Sequence, residues 1–185
     1  MAVLCSFHAE LGRGSDKLNV EILFNADLIF DFQSVRMDGM SKKLKVLIYG
    51  TGFAGQGHAH AFRYASAEVV GIVGRTESVV HQVANELKIP YAGIDWNQAL
   101  MDCQPDIVSI ATPGGSHAEA ITQAIQFGCH VFCEKPLTES GETARRLHEL
   151  AIKKNVKTAF AASFRYMPEV IHAKRLVETK VVESL

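Results

Sequence analysis

Leu44-Lys45-Val46-Leu47-Ile48-Tyr49-Gly50-Thr51-Gly52-Phe53-Ala54-Gly55 decides how this chain folds. A short apolar, β-branched-rich run ends abruptly in G-x-G-x-x-G, and a helix-compatible segment follows at once. A dinucleotide-binding βαβ unit requires that order. Gly50 can make the tight turn off the strand, and Gly52 lets the main chain approach a pyrophosphate with no Cβ in the way. Gly55 lets the new helix press close to the sheet. Thr51, Phe53 and Ala54 complete the loop, whose unpaired N–H groups lie at a helix N-terminus where the macrodipole favours negative charge. Such glycine spacings also arise by chance. The strand before, the helix after and a further strand at Val69 to Val73 weigh toward a nucleotide rather than a merely structural turn.

Outward from this loop, strands and helices alternate. The pattern predicts strands at Leu44–Tyr49, Val69–Val73, Tyr91–Ala92, Asp106–Ile110, His130–Cys133 and Thr158–Phe164. Helices are expected over Ala54–Ala65, Glu77–Leu87, Asp95–Met101, Ser116–Phe127 and Ser140–Asn155. Val79, Val80, Val83, Ala84 and Leu87 give the second of these an apolar face at helical spacing. Asp95 and Ser116 are candidate caps, and Gly128 a stop signal. Almost wholly apolar runs such as Ile107 to Ile110 suit parallel strands covered on both faces. Helical crossovers are how parallel strands connect, so the fold class is α/β: a doubly wound parallel sheet, a Rossmann fold in the order 3-2-1-4-5-6. Ligands of such sheets lie across the carboxyl ends of the strands.

Residues 1–40 do not share this rhythm. Leu18 to Phe32 is neither cleanly helical nor cleanly alternating, and Met40-Ser41-Lys42-Lys43 would make a sensible start for a protein whose first strand begins at Leu44. The expected organisation is an extension outside the fold over 1–40, a dinucleotide-binding domain over 41–167, and a last helix from Pro168 within 168–185. That helix has a mixed face and no obvious partner in what precedes it.

Composition narrows the function. The 185 residues are 48% hydrophobic and 21% charged with a net charge of -1, which describes a globular chain with no general basic field for nucleic acid. No apolar run approaches membrane-spanning length, and no secretion signal opens the chain, so no membrane role and a cytoplasmic location are expected. Cys5, Cys103, Cys129 and Cys133 are too scattered for a disulfide framework. Cys129 and Cys133 flank an apolar pair and read as reduced core thiols, not as a zinc or redox site. His58 and His60 fall on different helix faces, and no metal site is expected.

Four stretches fall at the carboxyl ends of successive strands. The first is the glycine loop. The second is Gly74-Arg75-Thr76, about twenty residues on, where an NAD-binding protein usually places a carboxylate for the ribose hydroxyls. Arg75 stands there instead, and guanidinium matches a 2′-phosphate in charge and geometry, so NADP(H) is favoured over NAD(H). The bland alternative is a solvated arginine. The third is Ala111-Thr112-Pro113-Gly114-Gly115-Ser116-His117, whose small residues let the nicotinamide half lie against the main chain. His117 is equally a packing histidine or a ligand contact. The fourth is Cys133-Glu134-Lys135-Pro136. Two charges at the end of a buried strand are an expensive placement unless something uses them, although a solvated loop pair is common. An ordinary lysine, with a pKa of about 10.4, is a poor acid–base catalyst; desolvation and an oxidised nicotinamide nearby bring such a group toward the useful range. Pro136 can fix this loop through a cis or a trans bond.

With the glycine loop, Ala111-Thr112-Pro113 with His117, and Glu134-Lys135-Pro136 in that order, the chain resembles the glucose–fructose oxidoreductase/inositol dehydrogenase/MocA family. The similarity runs from about Lys43 to Pro168 and includes Gly128-Cys129-His130-Val131 and Phe164-Arg165-Tyr166-Met167-Pro168. The resemblance implies a two-domain NAD(P)-dependent oxidoreductase acting on sugars, inositols or related polyols and their keto forms. The family's active-site lysine falls on Lys135, and Glu134 and His117 fall on positions lining the nicotinamide side. Where the family often has Asn after Thr-Pro, this chain has Gly114. The family's second, substrate-binding domain, which also supplies the usual homo-oligomer surface, is expected to be missing. The expected behaviour is cofactor binding without turnover; the alternative is a dinucleotide-binding sensor or regulatory module.

Overall fold

The computed structural model describes residues 6–7 and 43–179. Its strands are Ser6–Phe7 (β1), Lys45–Tyr49 (β2), Glu68–Val73 (β3), Tyr91–Gly93 (β4), Ile107–Ile110 (β5), His130–Cys133 (β6) and Thr158–Phe160 (β7). The helices are Phe53–Tyr64 (α1), Glu77–Leu87 (α2), Trp96–Cys103 (α3), His117–Gln126 (α4), Gly141–Lys153 (α5) and Pro168–Glu178 (α6). The strands form one sheet in the order β1-β7-β6-β5-β2-β3-β4. From β2 to β7 every pairing is parallel, which is the expected 3-2-1-4-5-6 order. β1 adds an antiparallel edge, with Ser6 opposite Phe160. The expectation that residues 1–40 form a separate extension otherwise falls outside the described residues.

The central strand shows why an uninterrupted apolar run was needed. Val46, Leu47 and Ile48 are all fully buried. Because strand side chains alternate, Val46 and Ile48 pack with Ala59, Phe62, Val80 and Val83 of α1 and α2. Leu47 turns the other way, into Trp96, Ala99, Ile121, Ala124 and Leu147 of α3, α4 and α5. Each such aliphatic side chain contributes about 1.5–3 kcal/mol by leaving water, so this strand anchors both layers.

Local signals place the helix ends. The Asp95 side chain accepts from the Gln98 N–H at 3.0 Å, and Ser140 Oγ accepts from the Thr143 N–H at 3.1 Å. Arg63, in the last turn of α1, donates to the carbonyls of Leu87 (2.5 Å) and Lys88 (3.1 Å), satisfying oxygens that the end of α2 leaves open. Ser116 departs from expectation. Gly114–Ser116 forms a 3-10 turn, and the Ser116 hydroxyl lies 2.7 Å from Thr112 Oγ1 and 2.9 Å from the Pro113 carbonyl, so it closes the loop and does not cap α4. The final strand is also shorter than its apolar run predicts, because Ser163–Tyr166 coils into a 3-10 turn. α6 buries none of its described residues. Among the described residues no helix is long and apolar enough to cross a membrane.

Candidate functional site

Parallel register brings the four singled-out stretches to one edge. Tyr49 lies opposite both Val73 and Ile110, and Ile110 opposite Cys133, so β2, β3, β5 and β6 end level. The glycine loop and Lys135 therefore share the carboxyl edge, with β5 between them. Two strand spacings separate β2 from β6, roughly 10 Å.

Gly50 and Gly55 have the steric roles that their spacing implies. Gly50 has φ 126° and donates its N–H to the Val73 carbonyl at 2.8 Å. A Cβ there would strike the carbonyl of Ala111, and one at Gly55 would strike the carbonyl of Gly50, so α1 seats directly on the strand end. A Cβ at Gly52 would meet nothing within 4 Å: this position faces open space. Gly52 is the N-cap of α1 and carries no side-chain cap. Its helix therefore offers main-chain donors to whatever approaches. Thr51 and Ala54 are half-buried, and Phe53 is exposed. Thr51 is steadied through its carbonyl by Gln56 Nε2 at 3.0 Å. This open, donor-lined turn fits a pyrophosphate.

Next to it, Gly74 is buried against Thr51 and Val80, and Arg75 and Thr76 stand exposed after β3. Arg75 is thus open to solvent at the carboxyl edge of the sheet. Across β5, Ala111 and Thr112 are half-buried and Pro113 is exposed.

His117 has one of its two expected roles. The imidazole is wholly buried, with Nε2 2.7 Å from the Thr112 carbonyl and Nδ1 2.8 Å from the Pro136 carbonyl. Both carbonyls can only accept, so a neutral ring donates to one of them and the imidazolium to both; in either form the ring is wedged as a strap between the loops after β5 and β6 and offers no free atom to a cofactor. Gly114 belongs to the same junction, since a Cβ there would lie 3.2 Å from the Pro136 ring. The Lys135-Pro136 bond is cis.

Glu134 and Lys135 differ in setting. Lys135 is exposed, whereas Glu134 is half-buried and held at both oxygens. Oε2 accepts the Lys135 main-chain N–H at 3.0 Å, and Oε1 lies 3.3 Å from His58 Nε2. The His58 hydrogen bond, chiefly, holds the Glu134 carboxyl below its ordinary range against the opposing effect of burial; the Lys135 N–H and the charges of His58 and Lys135 add to it. His58 was not singled out by sequence. It is buried in α1, with Nδ1 2.9 Å from Ser109 Oγ and its ring edge on Phe132. The only sequence signal was its position one helical turn past Gly55, on the face that α1 turns to the sheet.

The cysteines behave as core residues. Burial, reinforced by the Glu134 charge, pushes the Cys133 thiol up to about 12, and burial pushes Cys103 and Cys129 up to about 11. All three stay protonated at neutral pH. Cys5 lies outside the described residues.

Known proteins resemble this chain in sequence and fold. The chain is similar to a levoglucosan dehydrogenase of Pseudarthrobacter phenanthrenivorans, 28% identical over 148 residues that make up 74% of this chain and 37% of that protein. It is similar to a D-xylose 1-dehydrogenase (NADP(+)) of Haloferax volcanii, 32% identical over 65% of this chain and 37% of that one. Among solved structures, GenD2 from gentamicin A biosynthesis in complex with NAD aligns with a TM-score of 0.71 and 29% identity, over 78% of this chain and 41% of that one. The chain thus spans about two fifths of the length of these relatives. The model of an oxidoreductase family with an NAD-binding Rossmann fold matches residues 44–162, and the chain belongs to that family, Gfo/Idh/MocA.

Proposed function

We propose that this chain is the cofactor-binding part of an oxidoreductase that moves hydride between a nicotinamide dinucleotide and a carbinol carbon of a sugar, inositol or related polyol. The observation that carries this reading is the placement of an open glycine turn and the exposed Lys135 on one sheet edge. The nicotinamide, when bound, supplies or accepts the hydride. Gly50, Thr51, Gly52, Phe53, Ala54 and Gly55 receive the pyrophosphate on their main chain. Gly74, Arg75 and Thr76 meet the adenosine ribose, and Ala111, Thr112 and Pro113 back the nicotinamide half. Lys135 is the catalytic residue: its side-chain nitrogen hydrogen-bonds the reacting oxygen, giving up a proton as the ammonium when a carbonyl is reduced and taking up the hydroxyl proton as the neutral amine when an alcohol is oxidised. Glu134 holds the main chain of that lysine, and His117 acts through the strap it forms.

Arg75 in place of a carboxylate is what supports NADP(H); the relatives divide, one being named for NADP(+) and one solved with NAD. Dehydrogenation of levoglucosan and D-xylose by the relatives supports a sugar-like substrate. The relatives extend well beyond the matched stretch, and substrate choice and a homo-oligomer surface are assigned to that further part. Without it the 185-residue chain binds dinucleotide and turns over nothing measurable, because the orientation that makes hydride transfer fast is missing. The cytoplasmic location stays part of this reading, and cleavage near Arg36 is expected to leave cofactor binding intact.

The test is a titration of NADH and NADPH against thermal stability or Trp96 fluorescence. A ligand bound only by the folded state raises the midpoint with concentration. Indifference to both coenzymes at millimolar levels would end the proposal. A non-catalytic sensor would bind equally well, but there Lys135→Ala in the full-length protein would leave its output unchanged.

A further inference from the structure

The buried chain Ser109–His58–Glu134 spans three elements and ends beside Lys135. Ser109 is fully buried on β5, His58 is buried in α1, and Glu134 follows β6. With the ring neutral, one proton arrangement satisfies every contact. The Ser109 hydroxyl donates to His58 Nδ1 across 2.9 Å, which leaves the ring proton on Nε2 to donate to Glu134 Oε1 across 3.3 Å. Glu134 Oε2 takes the Lys135 N–H at 3.0 Å, and its own N–H goes to the Ile110 carbonyl at 2.8 Å. A carboxylate held at both oxygens, on a residue whose own main-chain N–H is anchored, is thereby presented at the strand edge with a side-chain exposure of 20%.

We infer that His58 is a positioning residue that keeps the Glu134 carboxylate fixed at the nicotinamide end of the site, so that the site holds the oxidised coenzyme more tightly than the reduced one. This rests on the proposed dinucleotide reading. The oxidised nicotinamide ring carries a positive charge and the reduced ring none, so a fixed anion nearby discriminates between them. The exposed Lys135 ammonium acts in the opposite sense. Fold stability affects both coenzyme forms alike, whereas the ratio of the two affinities responds to the local charge.

The experiment measures, by calorimetric titration at pH 7.5, the dissociation constants of the oxidised and reduced forms of the preferred coenzyme on the full chain. The variants are Glu134→Gln, His58→Ala, His58→Gln and Lys135→Met. Glu134→Gln should lower the preference for the oxidised form on the order of tenfold, the effect of one unit charge a few ångströms away at partial exposure. His58→Ala should lower it by a smaller factor, because the carboxylate remains but swings free. His58→Gln, which keeps a side-chain N–H donor, should restore part of that loss. Lys135→Met should raise the preference. Equal weakening of both forms in Glu134→Gln and His58→Ala overturns the inference and leaves the dinucleotide reading standing. Wild-type protein that binds neither form overturns both. Should His58→Ala fail to fold, His58→Gln decides for the ring: a ratio below wild type supports its positioning role, and an unchanged ratio there, or in both Glu134→Gln and Lys135→Met, refutes the inference.

Discussion

Arg75 and Glu134 mark the two ends of the proposed coenzyme, and each invites its own measurement. Arg75 is exposed after β3, so Arg75→Asp replaces a guanidinium with a carboxylate and leaves the core untouched. The ratio of NADPH to NADH affinity should fall by at least tenfold; a ratio that does not move refutes the assignment of Arg75 to a 2′-phosphate. Glu134 gives a pH dependence. Its carboxyl is held below the ordinary value of 4.5, first by the His58 hydrogen bond, so the folded state takes up that proton less readily than the unfolded chain. Its stabilisation is therefore present above about pH 4.5 and is lost as pH falls through the depressed folded value. Glu134→Gln should flatten the fall of the thermal midpoint on the acid side and leave the slope near pH 7 unaltered. Gly55 supplies a steric test. Gly55→Ala puts a methyl group into the Gly50 carbonyl and should destabilise by about 1–3 kcal/mol in urea melts. At this scale the glycine turn and the placement of Arg75 and Lys135 after β3 and β6 were legible, because placement follows from the strand pattern. His58 was not, since its contact with Glu134 joins residues 76 apart in sequence. The inward turn of His117 was equally hidden, because it depends on the path of the Pro136 loop.

Elements differ in how firmly their ends are specified. The α3 cap rests on one hydrogen bond, Asp95 to the Gln98 N–H, so Asp95→Ala should cost about 1 kcal/mol in equilibrium unfolding. α6 buries none of its described residues, while α1 buries Gly55, His58, Ala59 and Phe62. In native-state hydrogen exchange α6 amides should exchange well ahead of those in α1, because an isolated helix of this length is marginal in water. Equal protection would mean that α6 is covered. Strand and helix existence was readable from periodicity, but ends were less so. Thr158 to Phe164 reads as one strand, yet only Thr158–Phe160 pairs and the chain then coils into the Ser163–Tyr166 turn. Ser116 has the right residue type for a cap, but the Gly114–Ser116 turn engages its hydroxyl first.

For the molecule as a whole, strand order was the most legible property. Helices between apolar strands leave few alternatives to a parallel sheet, and the switch in direction follows from the glycine loop at its centre. The antiparallel β1 was not foreseen, since nothing in Ser6–Phe7 sets it apart from its surroundings. The His117 strap has a consequence at this same scale. One imidazole ties the two loops on the far side of the site together, so much of their loss of freedom occurs when the chain folds rather than when a ligand arrives. The opposite bank, with its exposed arginine, must be immobilised at the moment of capture. Discrimination among coenzymes that differ only in their adenosine moiety should therefore reside in how long each stays bound, with the nicotinamide berth serving all of them alike.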